Sequence, residues 1–257
     1  MKLAIMQPYF MPYIGYFQAI AAVDKYILYD HLAYIVNGWI NTNRVRQRNM
    51  PECDIVVPVQ QKSSYKLIAE TEIDNSKPWK SKILKTLQLG YAKSAYYKEV
   101  MPLIEDIISR EYTGISELNA VSIRKICEYL DIKTHIVSDC SQYFQIEEKL
   151  QAIDNADYSS LPYMEATKPI RKVARVIAIC RQENAHTFIN AIGGTALYNK
   201  QEFSKYGINL QFVKTNDICY DQNCKDGSFI PNLSIIDVLM HNGKEKTKML
   251  LNEYSLV

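Results

Sequence analysis

Leu3-Ala4-Ile5-Met6, then Gln7-Pro8-Tyr9-Phe10-Met11-Pro12, Tyr13-Ile14-Gly15-Tyr16 and Tyr26-Ile27-Leu28-Tyr29 form the stretch that decides the fold. It reads as an apolar strand, a proline-braced elbow, a helix opening at Tyr13 and a second strand. Pro8 and Pro12 each fix a backbone angle and remove a donor, so the elbow is rigid. Strand, special turn, helix and strand form the unit on which α/β proteins build ligand sites, at the carboxyl ends of strands. Asn37-Gly38-Trp39-Ile40-Asn41-Thr42-Asn43-Arg44-Val45-Arg46 follows directly, an uncommon polar cluster beside that unit.

Outward from this segment, short strands alternate with helices. Helices are predicted over 79–89, 97–110, 115–130, 170–181 and 233–241, and short strands over 134–137, 187–190 and 209–213. Gly90 is expected to end the first of these helices and Ser116 to cap the third. Residues 54–59 and 65–73 read as a hairpin with residues 60–64 as its loop, and 142–167 is less regular. The pattern predicts an α/β fold with a mainly parallel sheet and a Rossmann-like, nucleotidyltransferase-like core. We read one domain over 1–257, with a hairpin-and-helix insertion over 48–112.

Composition excludes several classes. With 257 residues the chain can bury a sizeable core. Thirty basic and 28 acidic side chains leave a net charge of +2, so no strong field argues for nucleic acid. Apolar runs fall short of the roughly 20 residues of a membrane span. The start lacks the features of a signal peptide, and the expectation is a cytoplasmic protein. Six cysteines are widely spaced, and Cys219 and Cys224 have no second pair to complete a zinc site, so free thiols and no metal are expected. The anomaly is 19 tyrosines against 7 phenylalanines. Such rings, with an apolar face and a polar tip, suit sugar and base surfaces as well as cores.

The candidate site residues cluster in the first 46 positions. Gln7, Asn41, Asn43 and Ser234 offer hydrogen bonds to hydroxyls or amides. Arg44 and Arg46 offer two-pronged contacts to a diphosphate. Tyr9, Tyr13, Tyr16 and Trp39 would shape a sugar or acyl-donor pocket, and Gly15 would let a ligand approach the first turn of the helix. Asp30, at the end of the second strand, and His31, which titrates near neutral pH, are the acid–base candidates. Cys140 is the best-placed thiol for acyl transfer, although an unactivated cysteine is the default. Asp237, three residues after Ser234, fits a charge in the first turn of a capped helix.

Tyr13-Ile14-Gly15-Tyr16 resembles the His-x-Gly-His turn of class I aminoacyl-tRNA synthetases and related nucleotidyltransferases, with both histidines replaced by tyrosine. An adenylate-forming enzyme with a degenerate turn is therefore one alternative, and a non-catalytic binding protein of a glycan pathway another. A closer resemblance runs through the elbow from Gln7 to Phe17, Tyr29-Asp30, Trp39-Ile40-Asn41, Asn43-Arg44, Gly193-Gly194 with Leu197-Tyr198, and Pro231-Asn232-Leu233-Ser234. These strings resemble the WbqC-like protein family. The resemblance implies work in bacterial O-antigen and other surface-polysaccharide synthesis on a nucleotide-sugar or amino-sugar substrate. The form expected is a transferase that acylates or aminoacylates a nucleotide-linked amino sugar; it names no cofactor.

Overall fold

A computed structural model describes residues 1–47, 50–152, 171–223 and 228–257. Its centre is a six-stranded sheet in the order β5 (His135–Val137), β2 (Lys25–Leu28), β1 (Lys2–Met6), β6 (Thr187–Ala191), β7 (Asn209–Thr215), β8 (Tyr254–Leu256). All neighbours pair in parallel except β8, which runs antiparallel to β7. The chain builds outward from β1 through β2 to β5, then returns to the other side of β1 with β6 and β7. The carboxyl ends of β1 and β6 therefore flank the point where the winding reverses, the usual ligand crevice of a doubly wound sheet.

Alternation along the strands explains why both faces are covered. In β1 and β2, Ala4, Tyr26 and Leu28 point into one buried cluster, while Leu3 and Ile27 point into the other. The first cluster is built with α1 (Ile14–Ala21), α2 (Trp79–Tyr91), α3 (Tyr97–Ser109), α4 (Ile115–Tyr129) and α8 (Ile235–Leu250). The second is covered by α5 (Phe144–Ala152), α6 (Arg171–Gln182) and α7 (Lys200–Ser204). Residues from α2 and α3 thus share one core with β1, α1 and α8. Among the described residues no helix is long and apolar enough to cross a membrane.

Three local expectations are corrected. The antiparallel hairpin is β3 (Thr42–Gln47) with β4 (Met50–Val56), not 54–59 with 65–73, and Asn43 and Arg44 lie on its first strand. Residues 65–73 are turns with single bridges from Leu67 to Ala33 and from Ile73 to Val59. Their backbone bonds go to neighbouring loops, as when Ile68 N donates to Leu32 O and Ile73 N to Thr113 O, so no ladder forms. Ser116 is not a cap: Gly114 holds that position, and the Ser116 hydroxyl donates to Asp30 at 2.6 Å. The helix expected over 170–181 is described over Arg171–Gln182; residue 170, Cys224 and most of 142–167 lie outside the described residues.

Gly90 lies inside α2, not past its end. A Cβ there would sit 2.4 Å from the backbone oxygen of Arg46, because the helix presses directly on β3. On propensity alone Gly90→Ala would gain roughly 1 kcal/mol. We expect the opposite sign, a loss of about 2 kcal/mol from overpacking against immovable backbone. Urea denaturation of Gly90→Ala checks this, with exposed Leu89→Ala as the near-neutral control.

Candidate active site

The elbow is fixed by donors reaching it from distant parts of the chain. Asn119 Nδ2 donates to Pro8 O and Ile40 O, at 3.0 and 2.8 Å. Asn43 Nδ2 donates to Phe10 O and Met11 O, at 3.0 and 2.8 Å. Ser234 Oγ donates to Met11 O at 2.8 Å, Ile235 N to Pro12 O, and Tyr16 Oη to Gln7 O. Met11 takes a positive φ of 43°, a backbone strain held by these bonds. With its carbonyls engaged, the elbow turns Gln7, Tyr9 and Tyr13 outward into a crevice.

That crevice has two lobes sharing Tyr9 and Tyr13 as a common wall. The inner lobe, about 610 Å³, lies at the winding reversal: Met6 and Gln7 end β1, and Asn190, Ala191, Gly193 and Gly194 end β6. Tyr16, Tyr29, Ile35, Lys172, Arg175, Leu197 and Tyr198 complete it. The outer lobe, about 480 Å³, is bounded by Trp39, Asn43 and Arg44 on one side and Ile192, Lys214, Thr215 and Asn232 on the other. The elbow and the Asn/Arg segment therefore converge on one crevice.

Among the described residues four cationic side chains line the two lobes, and no carboxylate, histidine or cysteine does. Arg44 donates to Glu52 at 2.8 Å and lies 5.5 Å from the centre of the Trp39 ring. Arg175 makes a two-pronged pair with buried Glu147, through Nε to Oε1 and through Nη2 to Oε2 at 2.8 Å. Burial works against the Arg175 cation, but Glu147 outweighs it and holds the guanidinium above its ordinary pKa. The Tyr29 hydroxyl also donates to Glu147, and burial together with that carboxylate keeps the phenol protonated. Lys172 and Lys214 are exposed and have no carboxylate partner among the described residues. Burial also raises Tyr9 and Tyr13, so both remain donors at neutral pH.

The sequence candidates separate into those facing the crevice and those holding it. Gln7, Tyr9, Tyr13, Trp39 and Arg44 face it. Tyr16 is buried and forms part of the wall of the inner lobe. Asn41 is internal, accepting from Tyr34 Oη and donating to Val57 O. Asn43 borders the outer lobe, yet its amide is committed to the elbow. Ser234 is fully buried as the cap of α8, accepting from Ile236 N. A Cβ on Gly15 would meet the Tyr13 ring at 2.4 Å, so that ring, not a ligand, occupies the open face of the first turn of α1.

Asp30 and His31 do not line the crevice. β2 lies one strand away from the winding reversal, so the residues after it serve a different concavity. Asp30 borders a separate cleft with Ser116, Glu117, Arg124 and Ser138, and His31 packs on the Phe144 ring at 4.5 Å. Arg46 donates to Asn223 O and is also absent from the crevice. Cys140 is buried against Leu28 O, and burial followed by Asp30 pushes its thiol up to about 12, so it is no thiolate. Lys172, Arg175, Asn190, Tyr198 and Lys214 were not singled out by sequence reasoning. The pair Lys172 and Arg175, three residues apart and so on one side of a helix, was the signal available. Among the described residues no three His, Cys, Asp or Glu side chains gather as a metal-ligand group.

The model of the WbqC-like protein family matches residues 7–249, which include both lobes of the crevice and the elbow that shapes them. The chain belongs to that family. A relative from Mycobacterium tuberculosis, the uncharacterized protein Rv1507c, is 27% identical over 246 residues, an alignment that covers 95% of each chain. No solved structure matches this WbqC-like chain.

Proposed function

We propose that this protein is a transferase of bacterial surface-polysaccharide synthesis that places an acyl group on the amine of a nucleotide-linked amino sugar. One observation carries the reading: a two-lobed crevice at the winding reversal lined, among the described residues, by four cations, several phenols and no acid or conventional base. Arg175 and Lys172 suit a diphosphate, and tyrosine faces with polar tips suit a sugar ring. The same field supplies the missing activation. Like charges disfavour an ammonium ion, so Lys172 and Lys214, the two lining cations without a carboxylate partner among the described residues, favour a bound amino sugar as the neutral nucleophile. The amine nitrogen bonds to the acyl carbon, the bond from that carbon to its activating group breaks, and the departing group takes up the amine proton.

Asp30 and His31 have no part in the reaction so proposed, being outside the crevice. The adenylate-forming alternative loses support because the Tyr13 ring covers the turn where such enzymes bring phosphate. A cell lacking the protein should accumulate the unmodified nucleotide-linked amino sugar, seen by untargeted mass spectrometry of sugar nucleotides. Unchanged sugar-nucleotide pools in a strain whose surface glycan is altered would overturn the reading and favour a non-catalytic role.

A further inference from the structure

The mouth of the crevice carries apolar surface that ligand-free packing does not explain. Ile35, Val36, Trp39, Ile192 and Leu197 are between 39% and 46% exposed. Ile35 and Leu197 border the inner lobe, and Trp39 and Ile192 the outer. Isolated exposed apolar residues are ordinary, but Ile35, Trp39, Ile192 and Leu197 converge on one crevice, with Val36 next to Ile35 in the chain. Ile35 and Val36 moreover begin a tight turn, closed by Gly38 N to Ile35 O at 3.1 Å with Asn37 at a φ of 63°. Turns of this kind favour Gly, Pro, Asn, Asp and Ser, and two β-branched apolar side chains at such a tip have no local reason to be there. Lys172 and Lys214 border the two lobes, with no lining carboxylate among the described residues to offset them.

We propose that this collar seats the aliphatic chain of an anionic acyl donor, a fatty-acyl thioester of a phosphate-bearing thiol. The inference rests on the acyl-transfer reading above and narrows it. Two lobes meeting at Tyr9 and Tyr13 suit two substrates, and their cations suit phosphate on both. An aminoacyl donor would bring its own ammonium into a crevice that among the described residues offers no carboxylate to receive it, whereas the collar offers apolar contact, so the group transferred is apolar. A bare membrane contact would need the apolar tip and the lysines but no cavity behind them.

The test uses the full chain and the fluorescence of Trp39 at the crevice wall; the second tryptophan, Trp79, is buried in the core. Acetyl-, butyryl-, hexanoyl- and octanoyl-coenzyme A are titrated, and UDP-linked amino sugar is titrated separately. Affinity is expected to rise about threefold per added methylene. In Ile35→Ser/Leu197→Ser that rise should vanish, the slope of affinity with chain length being the quantity read; Ile35→Ala/Leu197→Ala, expected to flatten the slope in part, replaces the pair if the serines do not fold. A flat chain-length response in the native protein overturns the collar, as does a rise that survives undiminished in the double variant. Sedimentation with phosphatidylglycerol vesicles and no chain-length dependence would overturn it in favour of a membrane contact. Normal sugar-nucleotide binding beside a flat response confines the failure to the collar. Chain-dependent binding with no sugar-nucleotide binding instead overturns the functional reading.

Discussion

Arg175→Ala is expected to lower stability by about 3 kcal/mol and to weaken sugar-nucleotide binding by about 100-fold. Two effects add. Glu147 is a buried carboxylate whose compensation comes from the two-pronged Arg175 contact and the Tyr29 hydroxyl. Removing the arginine leaves that charge in a site with little water, the costly half of breaking a buried pair. The crevice also loses its innermost cation. The two effects can be separated. Arg175→Met with Glu147→Gln removes both charges, and should recover most of the stability while leaving binding impaired. Chemical denaturation and calorimetric titration of UDP-amino sugar give the two numbers. Recovery of binding in the double variant would show that Arg175 acts only through folding.

Asp237→Ala is expected to cost about 4 kcal/mol, the largest loss of stability foreseen for a single side chain outside the crevice. Asp237 is fully buried and accepts from Tyr91 Oη, Tyr220 Oη and Gln222 Nε2, at 2.8, 2.8 and 2.9 Å. Alanine would strand three buried donors at once. The Tyr91 hydroxyl in turn accepts from Arg46 N, so the damage extends to β3. Asp237→Asn keeps the shape and one good acceptor, and about half that loss is expected. The shift in denaturant midpoint measures both; equal effects of the two substitutions would mean that the charge, not the accepting geometry, matters.

The strand–elbow–helix–strand unit was legible because its signals agree: an apolar run, two prolines, then a helical pattern. The winding order was not legible, since nothing local says whether β2 or β6 flanks β1 at the ligand end. That order separates Asp30 and His31 from the crevice. It also brings in Arg175 and Lys214, which on their own elements read as solvated charge. Asn41, Asn43 and Ser234 misled for a related reason. An amide that serves a backbone carbonyl has the same sequence appearance as one that serves a ligand, and only the partner's location distinguishes them. Gly90 shows the limit from the other side, because its meaning depends on Arg46, more than forty residues earlier.

The bonds from Asn119 and Ser234 to the elbow span 111 and 223 residues. A nascent chain emerging from the ribosome thus makes its first strand long before the groups that shape the turn after it exist. The binding surface is expected to be the last part of the molecule to mature. A product of translation halted before Ser234 would contain every parallel strand of the sheet, yet be unable to hold substrate.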